Sequence, residues 1–247
     1  MRRSQPVIAV EATEGTSRAR RMAFTAGVAF VPMFLIASLL QLRPFIWDTV
    51  HPRRSLLAFQ HSKNPMQLGA WSRITLLIPL VFLATTLWAL LEERDPLRVR
   101  AGSFMLGAAG IIGVVSGIAQ STIGVFAEDY LPTDPGARAH ALSADALFRI
   151  HDNLATLSLI AVGVAAVTLA RPMRRAGFPA GTLWAGTLAL PFSAAMAILF
   201  TLKSSRKGSL LYRVPWAGAV LLVTVWVVGI IVACRRSPRW SARRMGP

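Results

Sequence analysis

The segment 103-SFMLGAAGIIGVVSGIAQSTIGVFA-127 runs for 25 residues without a charged side chain. About 20 apolar residues in a helix are enough to cross the roughly 30 Å hydrocarbon core of a bilayer. Inside that core only a helix or a closed barrel satisfies all of its own backbone polar groups. The segment therefore predicts a transmembrane helix, and with it an all-α membrane fold.

Five other segments share this length and apolar composition. The six predicted spans lie at about Met22–Leu42, Ile74–Leu91, Ser103–Ala127, Ile150–Ala170, Thr182–Leu202 and Pro215–Cys234. Only 15% of the residues are charged, whereas a soluble domain usually has about 25%. We expect a polytopic six-helix bundle over residues 22–234, with a disordered basic tail over 1–21 and a second basic tail over 235–247.

The distribution of basic residues predicts the orientation of this bundle. Sixteen of the 27 Lys and Arg residues lie in the two tails and in the loops after spans 2 and 4. The other eleven lie in the longer loops on the opposite side. By the positive-inside rule both termini face the cytoplasm, and we expect a multi-pass protein of the plasma membrane. The strong preference for Arg over Lys indicates a GC-rich bacterial genome.

Several classes of function lack their usual sequence features. Cys234 is the one cysteine, so neither a disulfide nor a cysteine metal site is expected. No His pair has the spacing of a helical zinc site, and no phosphate loop or dinucleotide fingerprint occurs. The arginines flank apolar segments and form no patch interleaved with aromatic residues. We therefore expect no metal, no cofactor and no nucleic-acid partner.

The loop between spans 3 and 4 concentrates acidic residues and histidines. The stretch 127-AEDYLPTDPGARAHALSADALFRIHDN-153 holds five of the eleven acidic residues and two of the four histidines. With the predicted orientation this loop faces outward. On the helix that enters span 4, Asp145, Arg149 and Asp152 share one face, because they are separated by four and three residues. Arg149 can therefore bridge both carboxylates.

These polar residues suggest a binding mouth at the outer surface. His151 and Asp152 would enter it from span 4, while Arg149 and Arg213 would meet a phosphate or another anion. The remaining candidates for binding are Asp134 and Gln120. The alternative for the loop is a solvated helix start fixed by an ion pair. The alternative for Gln120 is packing, since Gly113 and Gly117 on the same helix give the spacing that lets helices approach closely.

The first outer loop contains a short amphipathic segment. Residues Ser55–Gln60 are expected to form an interfacial helix, with Phe59 dipping into the lipid head groups.

The order of these features resembles a known family. An outer 131-LPTDP-135 follows the Gly-rich third span, His151 follows at the start of span 4, and 208-GSLLYRVPWAGAVLLVTVW-226 leads into the last span. Over roughly Ala23–Cys234 the chain resembles the bacterial Domain of Unknown Function 998 membrane proteins. The resemblance implies six helices and outward-facing positions at Asp134, His151 and Arg213. It implies no reaction.

Three functions remain open from the sequence. The first is a non-enzymatic accessory protein that binds a lipid head group or a partner protein at the outer mouth, with a homo-oligomer as the other assembly left open. The second is an enzyme acting on a lipid or lipid-linked substrate, with His151 and Asp152 as the acid–base pair. The third is a transporter of a small neutral solute, since no ionisable residue lies near the middle of a predicted span.

Overall fold

The described part of the chain is helical apart from short turns and contains no strand. The computed structural model describes residues 6–39, 52–61, 63–128, 130–202 and 210–236. Its helices are α1 Pro6–Leu39, α2 Pro52–His61, α3 Lys63–Thr75, α4 Leu77–Leu91, α5 Pro96–Glu128, α6 Ala137–Arg175, α7 Ala180–Leu202 and α8 Leu210–Arg236. Six segments are long and apolar enough to cross a membrane: α1, α3 with α4, and α5 to α8. This confirms the predicted number of spans.

The six spans form a closed ring. Neighbours in the ring are α1 with α3 and α4, these with α5, then α6, α7, α8 and α1 again. The turn at residues 130–136 joins α5 to α6, and we call that end of the bundle the hairpin end. The turns at residues 92–95 and 176–179 lie at the other end, which we call the basic end. This arrangement leaves an interior that all six spans border.

The second span is longer than the sequence predicted. It was expected at Ile74–Leu91, but helix begins at Lys63 and is interrupted only by a turn at Leu76. Pro79 explains the interruption, because its ring lacks an N–H and crowds the carbonyl of Thr75, four residues earlier. Asn64, Gln67 and Arg73 make this extension too polar to recognise from hydropathy, although it is helical and packed against α5.

The first helix also begins earlier than expected. The tail over residues 1–21 was predicted to be disordered, yet α1 starts at Pro6. Proline is favoured at the first position of a helix. The predicted end of span 1, residues 40–42, lies outside the described residues.

Glycines bring α5 and α6 close to their neighbours. A Cβ at Gly117 would lie 2.9 Å from the carbonyl oxygen of Ala70 on α3, so this glycine allows a close approach of two backbones. Gly113, which the sequence paired with Gly117, does not pack in this way. A Cβ there would meet only Ser158 Oγ, at 3.6 Å. The close contact between α6 and α7 is at Gly163, where a Cβ would lie 2.8 Å from Leu190 Cα.

A second hydrophobic cluster lies beside the turn at the hairpin end. It combines the apolar face of α2 with the end of α5 and the start of α6, and its members include Leu56, Phe59, Ile123, Tyr130 and Ala141. The predicted helix at Ser55–Gln60 is present within α2. Phe59 is only 2% exposed, so the prediction that it enters the head groups is wrong. Because α5 and α6 extend beyond their apolar spans, they offer Phe59 a protein surface instead.

Ion pairs tie the loops together at the basic end. Arg98 and Arg175 both lie 3.6 Å from the Asp95 carboxylate, and Arg175 also donates to the carbonyl of Arg94 at 2.9 Å. Arg100 donates to Glu92 at 2.9 Å from Nη2 and at 3.3 Å from Nε. These contacts fix the turn between α4 and α5 against the end of α6.

We expect the Arg100–Glu92 pair to be visible in a pH titration. The hydrogen bond from Arg100, followed by one from the Trp88 side chain, holds the pKa of the Glu92 carboxyl below its ordinary value of 4.5. Its stabilisation is therefore present above about pH 4.5 and is lost as the pH falls through the lower folded-state pKa. The carboxyl is exposed, so the change in stability is small.

NMR of ¹³C-labelled glutamate side chains measures this pKa directly. Arg100→Gln should move the pKa of Glu92 back towards 4.5. Arg98→Gln is the matched control, because Arg98 pairs with Asp95 and should leave Glu92 unchanged. Equal Glu92 titration curves in the wild type and Arg100→Gln would refute the assignment.

Candidate functional site

A cavity lies inside the ring of spans, towards the hairpin end. Its lining comes from all six spans: Phe30, Phe34, Ala37 and Ser38 of α1, Arg73, Leu76 and Leu80 of span 2, Ala109, Gly110 and Gly113 of α5, Asp152, Ala155, Thr156, Ser158, Leu159 and Val162 of α6, Met196 of α7 and Trp216 of α8. The cavity volume is about 60 Å³, enough for on the order of four water molecules. This space suits a small polar group, and is too small for a whole two-chain lipid.

Two residues of opposite charge line the cavity. Arg73 comes from the last turns of α3, and its Nη2 donates to the carbonyl of Ala37 on α1 at 3.4 Å. Asp152 comes from α6, on the other side of α5. Asp152 was among the binding residues predicted from the sequence, whereas Arg73 was predicted to lie in a loop and was missed. The sequence feature that could have placed Arg73 next to a span is the apolar run that begins at Ile74, directly after Arg73.

Hydroxyl groups extend the polar part of the lining along α6. Thr156 donates its hydroxyl proton to the carbonyl of Asp152 at 2.9 Å. Ser158 donates to the carbonyl of Ala109 on α5 at 2.8 Å. A hydroxyl has one proton and two lone pairs, so both oxygens can still accept hydrogen bonds. Ser38 of α1 adds a third hydroxyl and is 5% exposed.

The rest of the cavity is apolar. Phe34 lies one helical turn from Ser38, and Phe30 lies one turn further along α1, with the two rings stacked at 5.1 Å between centroids. Leu80, Leu159 and Val162 continue this wall on neighbouring helices. The cavity is therefore charged at the level of Arg73 and Asp152 and mostly apolar nearer the centre of the bundle, where Ser158 adds one hydroxyl.

Helix geometry gives the depth of these two parts. Arg73 lies 18 residues from Leu91, and Asp152 lies 18 residues from Ala170, both about 27 Å at 1.5 Å per residue. Leu91 and Ala170 end the apolar runs at the basic end. With a hydrocarbon core of about 30 Å, both charges lie near its far boundary. Gly113 is ten residues from Ser103, about 15 Å, which is close to the middle of the core.

His151 does not line this cavity. It is 3% exposed and lies between α6 and α5, with Nδ1 at 2.9 Å from the carbonyl oxygen and 3.0 Å from Oγ of Ser116. A carbonyl only accepts, so Nδ1 must carry a proton. Ser116 Oγ in turn donates to the carbonyl of His151 at 3.0 Å. His151 therefore joins two helices through a reciprocal contact.

Two predicted members of the mouth lie apart from the cavity. Arg149 forms the expected ion pair with Asp145, at 2.9 Å, but its side chain is 54% exposed and it is absent from the cavity lining. Asp134 is exposed in the turn before α6. Asp152 is 15 residues beyond the start of α6 at Ala137, so Asp134 is about 22 Å away along the helix. The structure does not bring Asp134, Arg149 and Asp152 into one site.

The last two candidates are Gln120 on α5 and Arg213 on α8. Gln120 is 4% exposed and donates through Nε2 to the carbonyl of Met66 at 3.0 Å, so it joins α5 to α3. Its Oε1 has no hydrogen-bond partner among the residues that the structure describes. Arg213 lies in the first turn of α8, one turn before Trp216, and its side chain is outside the described part of the structure.

Neither a metal site nor a similar protein identifies what this cavity binds. Within the described ranges no three His, Cys, Asp or Glu side chains are grouped so that they could hold a metal ion. Comparison of the chain with protein-family models, curated proteins and solved structures finds no match.

Proposed function

We propose that this chain is a non-enzymatic, multi-pass protein of a bacterial plasma membrane that binds an amphiphile in the cavity. The amphiphile's head group would lie at Arg73 and Asp152, and the first carbons of one chain would lie against Phe34 and Leu159. The observation that carries this proposal is the change of the lining from charged to apolar towards the middle of the bundle. A lipid or a related single-chain molecule has the same change of polarity along its length.

The orientation belongs to the same proposal. The count of basic residues favours cytoplasmic termini, which puts the hairpin end outside the cell. The head group would then be in the outer leaflet. The features shared with the Domain of Unknown Function 998 proteins fit this orientation, and we propose membership of that family on the same basis.

The position of the charges favours binding over an acid–base role and over proton-coupled transport. An acid–base role needs His151 within reach of substrate, but its Nδ1 is directed at Ser116 and not at the cavity. Proton-coupled transport calls for an ionisable group deep in the membrane, whereas Arg73 and Asp152 lie near the boundary. Arg73 is well suited to an anionic head group, because its planar guanidinium can donate two parallel hydrogen bonds to phosphate.

The cavity can be filled without disturbing the surrounding helices. Gly113 lines it, and a Cβ there makes only an ordinary contact, 3.6 Å from Ser158 Oγ. The leucine side chain in Gly113→Leu would therefore extend into the cavity. We expect this variant to bind lysophospholipids at least about tenfold more weakly than wild type, as measured by native mass spectrometry of the purified protein.

Gly107→Leu is the matched control on the same helix. A Cβ at Gly107 meets nothing within 4 Å, and Gly107 does not line the cavity. This variant should bind the same lysophospholipids with the affinity of wild type. Equal, saturable binding by the wild type and both variants would refute the cavity as the binding site.

A further inference from the structure

We propose that the cavity selects a zwitterionic head group, with an anionic group held at Arg73 and a primary ammonium held at Asp152. This inference rests on the proposed amphiphile binding and specifies the chemistry of the ligand. Arg73 and Asp152 carry opposite charges, come from different helices and border one cavity.

The wall formed by α6 offers hydrogen-bond acceptors. The hydroxyl protons of Thr156 and Ser158 are already donated to backbone carbonyls, so these oxygens are available as acceptors. The carboxylate of Asp152 is an acceptor as well. A primary ammonium has three N–H donors and no acceptor, so this wall complements it. A phosphate near the same wall would meet a like charge at Asp152.

The wall formed by α3 offers donors. The guanidinium of Arg73 carries five N–H groups and accepts nothing, and its fork geometry matches phosphate or carboxylate. A purely cationic head group would meet a like charge here. A head group with one charge of each sign is the class that complements both walls.

The aromatic residues of the cavity argue against a quaternary ammonium. Such a group has no N–H and is usually held over aromatic rings. Phe34 and Phe30 lie one and two turns from Ser38, towards the middle of the bundle, and so lie beside the chain of the amphiphile. Of the acceptors on α6, Asp152 and Thr156 lie nearest the head-group level, and they serve an ammonium with N–H groups.

Three probes with the same acyl chain test this inference. Lysophosphatidylethanolamine has a primary ammonium, lysophosphatidylcholine has a quaternary one, and lysophosphatidylglycerol has only the negative charge. By native mass spectrometry, we expect the wild type to bind the ethanolamine probe about tenfold more tightly than either of the others.

Asp152→Asn should remove this preference. The variant keeps the shape of the side chain and the backbone carbonyl that accepts from Thr156. We expect about a tenfold loss of affinity for the ethanolamine probe and no loss for the glycerol probe. Asp145→Asn is the matched control, since Asp145 is on the same helix, pairs with Arg149 and does not line the cavity. It should keep the wild-type preference.

The outcomes separate the head-group inference from the binding function. Suppose that wild type binds the glycerol or choline probe as tightly as the ethanolamine probe, and that Gly113→Leu binds less. The head-group inference is then overturned, and the proposed amphiphile binding is retained. Wild type without saturable binding of any probe would overturn both. The comparison among probes uses wild type alone, so it stands even if Asp152→Asn folds poorly.

Discussion

Replacing Gly163 with leucine is expected to destabilise the protein by about 3 kcal/mol or more. A Cβ at this position would lie 2.8 Å from the Cα and 3.1 Å from the N of Leu190. These are backbone atoms in the middle of α7, so no side chain can rotate away to make room. The two helices would have to separate along their whole contact, with loss of close packing on both.

Thermal unfolding in a mild detergent, followed by tryptophan fluorescence, measures this effect. We expect the Tm of Gly163→Leu to fall by on the order of 10 °C. Gly107→Leu is again the control, because the added side chain meets open space and should change the Tm little. Similar shifts in both variants would show that the loss of helical glycine itself matters, and that the contact with Leu190 does not.

His151→Ala is expected to cost about 2–4 kcal/mol, because it removes a buried ring together with its hydrogen bond. The carbonyl and hydroxyl of Ser116, which is 0% exposed, would lose the Nδ1 donor. The effect should be one of stability. A variant kept below its Tm should bind lysophospholipid as wild type does, since His151 does not line the cavity.

Two further variants identify the hydrogen bond as the cause. His151→Asn keeps an N–H donor on a shorter side chain and should recover part of the lost Tm. Ser116→Ala keeps the carbonyl as a partner for Nδ1 and should cost only about 1 kcal/mol. A His151→Ala protein with unchanged Tm that had lost an activity towards lipid would instead support the acid–base function for His151.

The spans could be predicted because hydropathy is a local property. Each of the six apolar runs is long enough to require a helix in lipid, whatever its neighbours. The ion pair of Arg149 with Asp145 was also predictable, since both residues lie one turn apart on one helix. The same reasoning led to Asp152 as a candidate, and Asp152 does line the cavity.

The cavity itself could not be predicted, because it depends on how the ring of helices closes. Arg73 follows a polar stretch that reads as a loop, and only its packing between α1 and α5 brings it to the interior. His151 has its partner Ser116 35 residues away on another helix. The prediction therefore placed His151 and Asp152 in one site because they are adjacent along the chain, although they lie on different faces of α6.

Photocrosslinking shows whether an amphiphile enters the interior of the bundle. The probe is lysophosphatidylethanolamine with a diazirine near the start of its chain, and the modified residues are identified by mass spectrometry of peptides. We expect crosslinks at Phe34 and Leu159, which line the cavity, and their loss with excess unlabelled lipid or in Gly113→Leu. Entry into the interior is contradicted if the crosslinks fall only on exposed residues and do not respond to competition. Phe104 and Ile111, which are 72% and 60% exposed, are such residues.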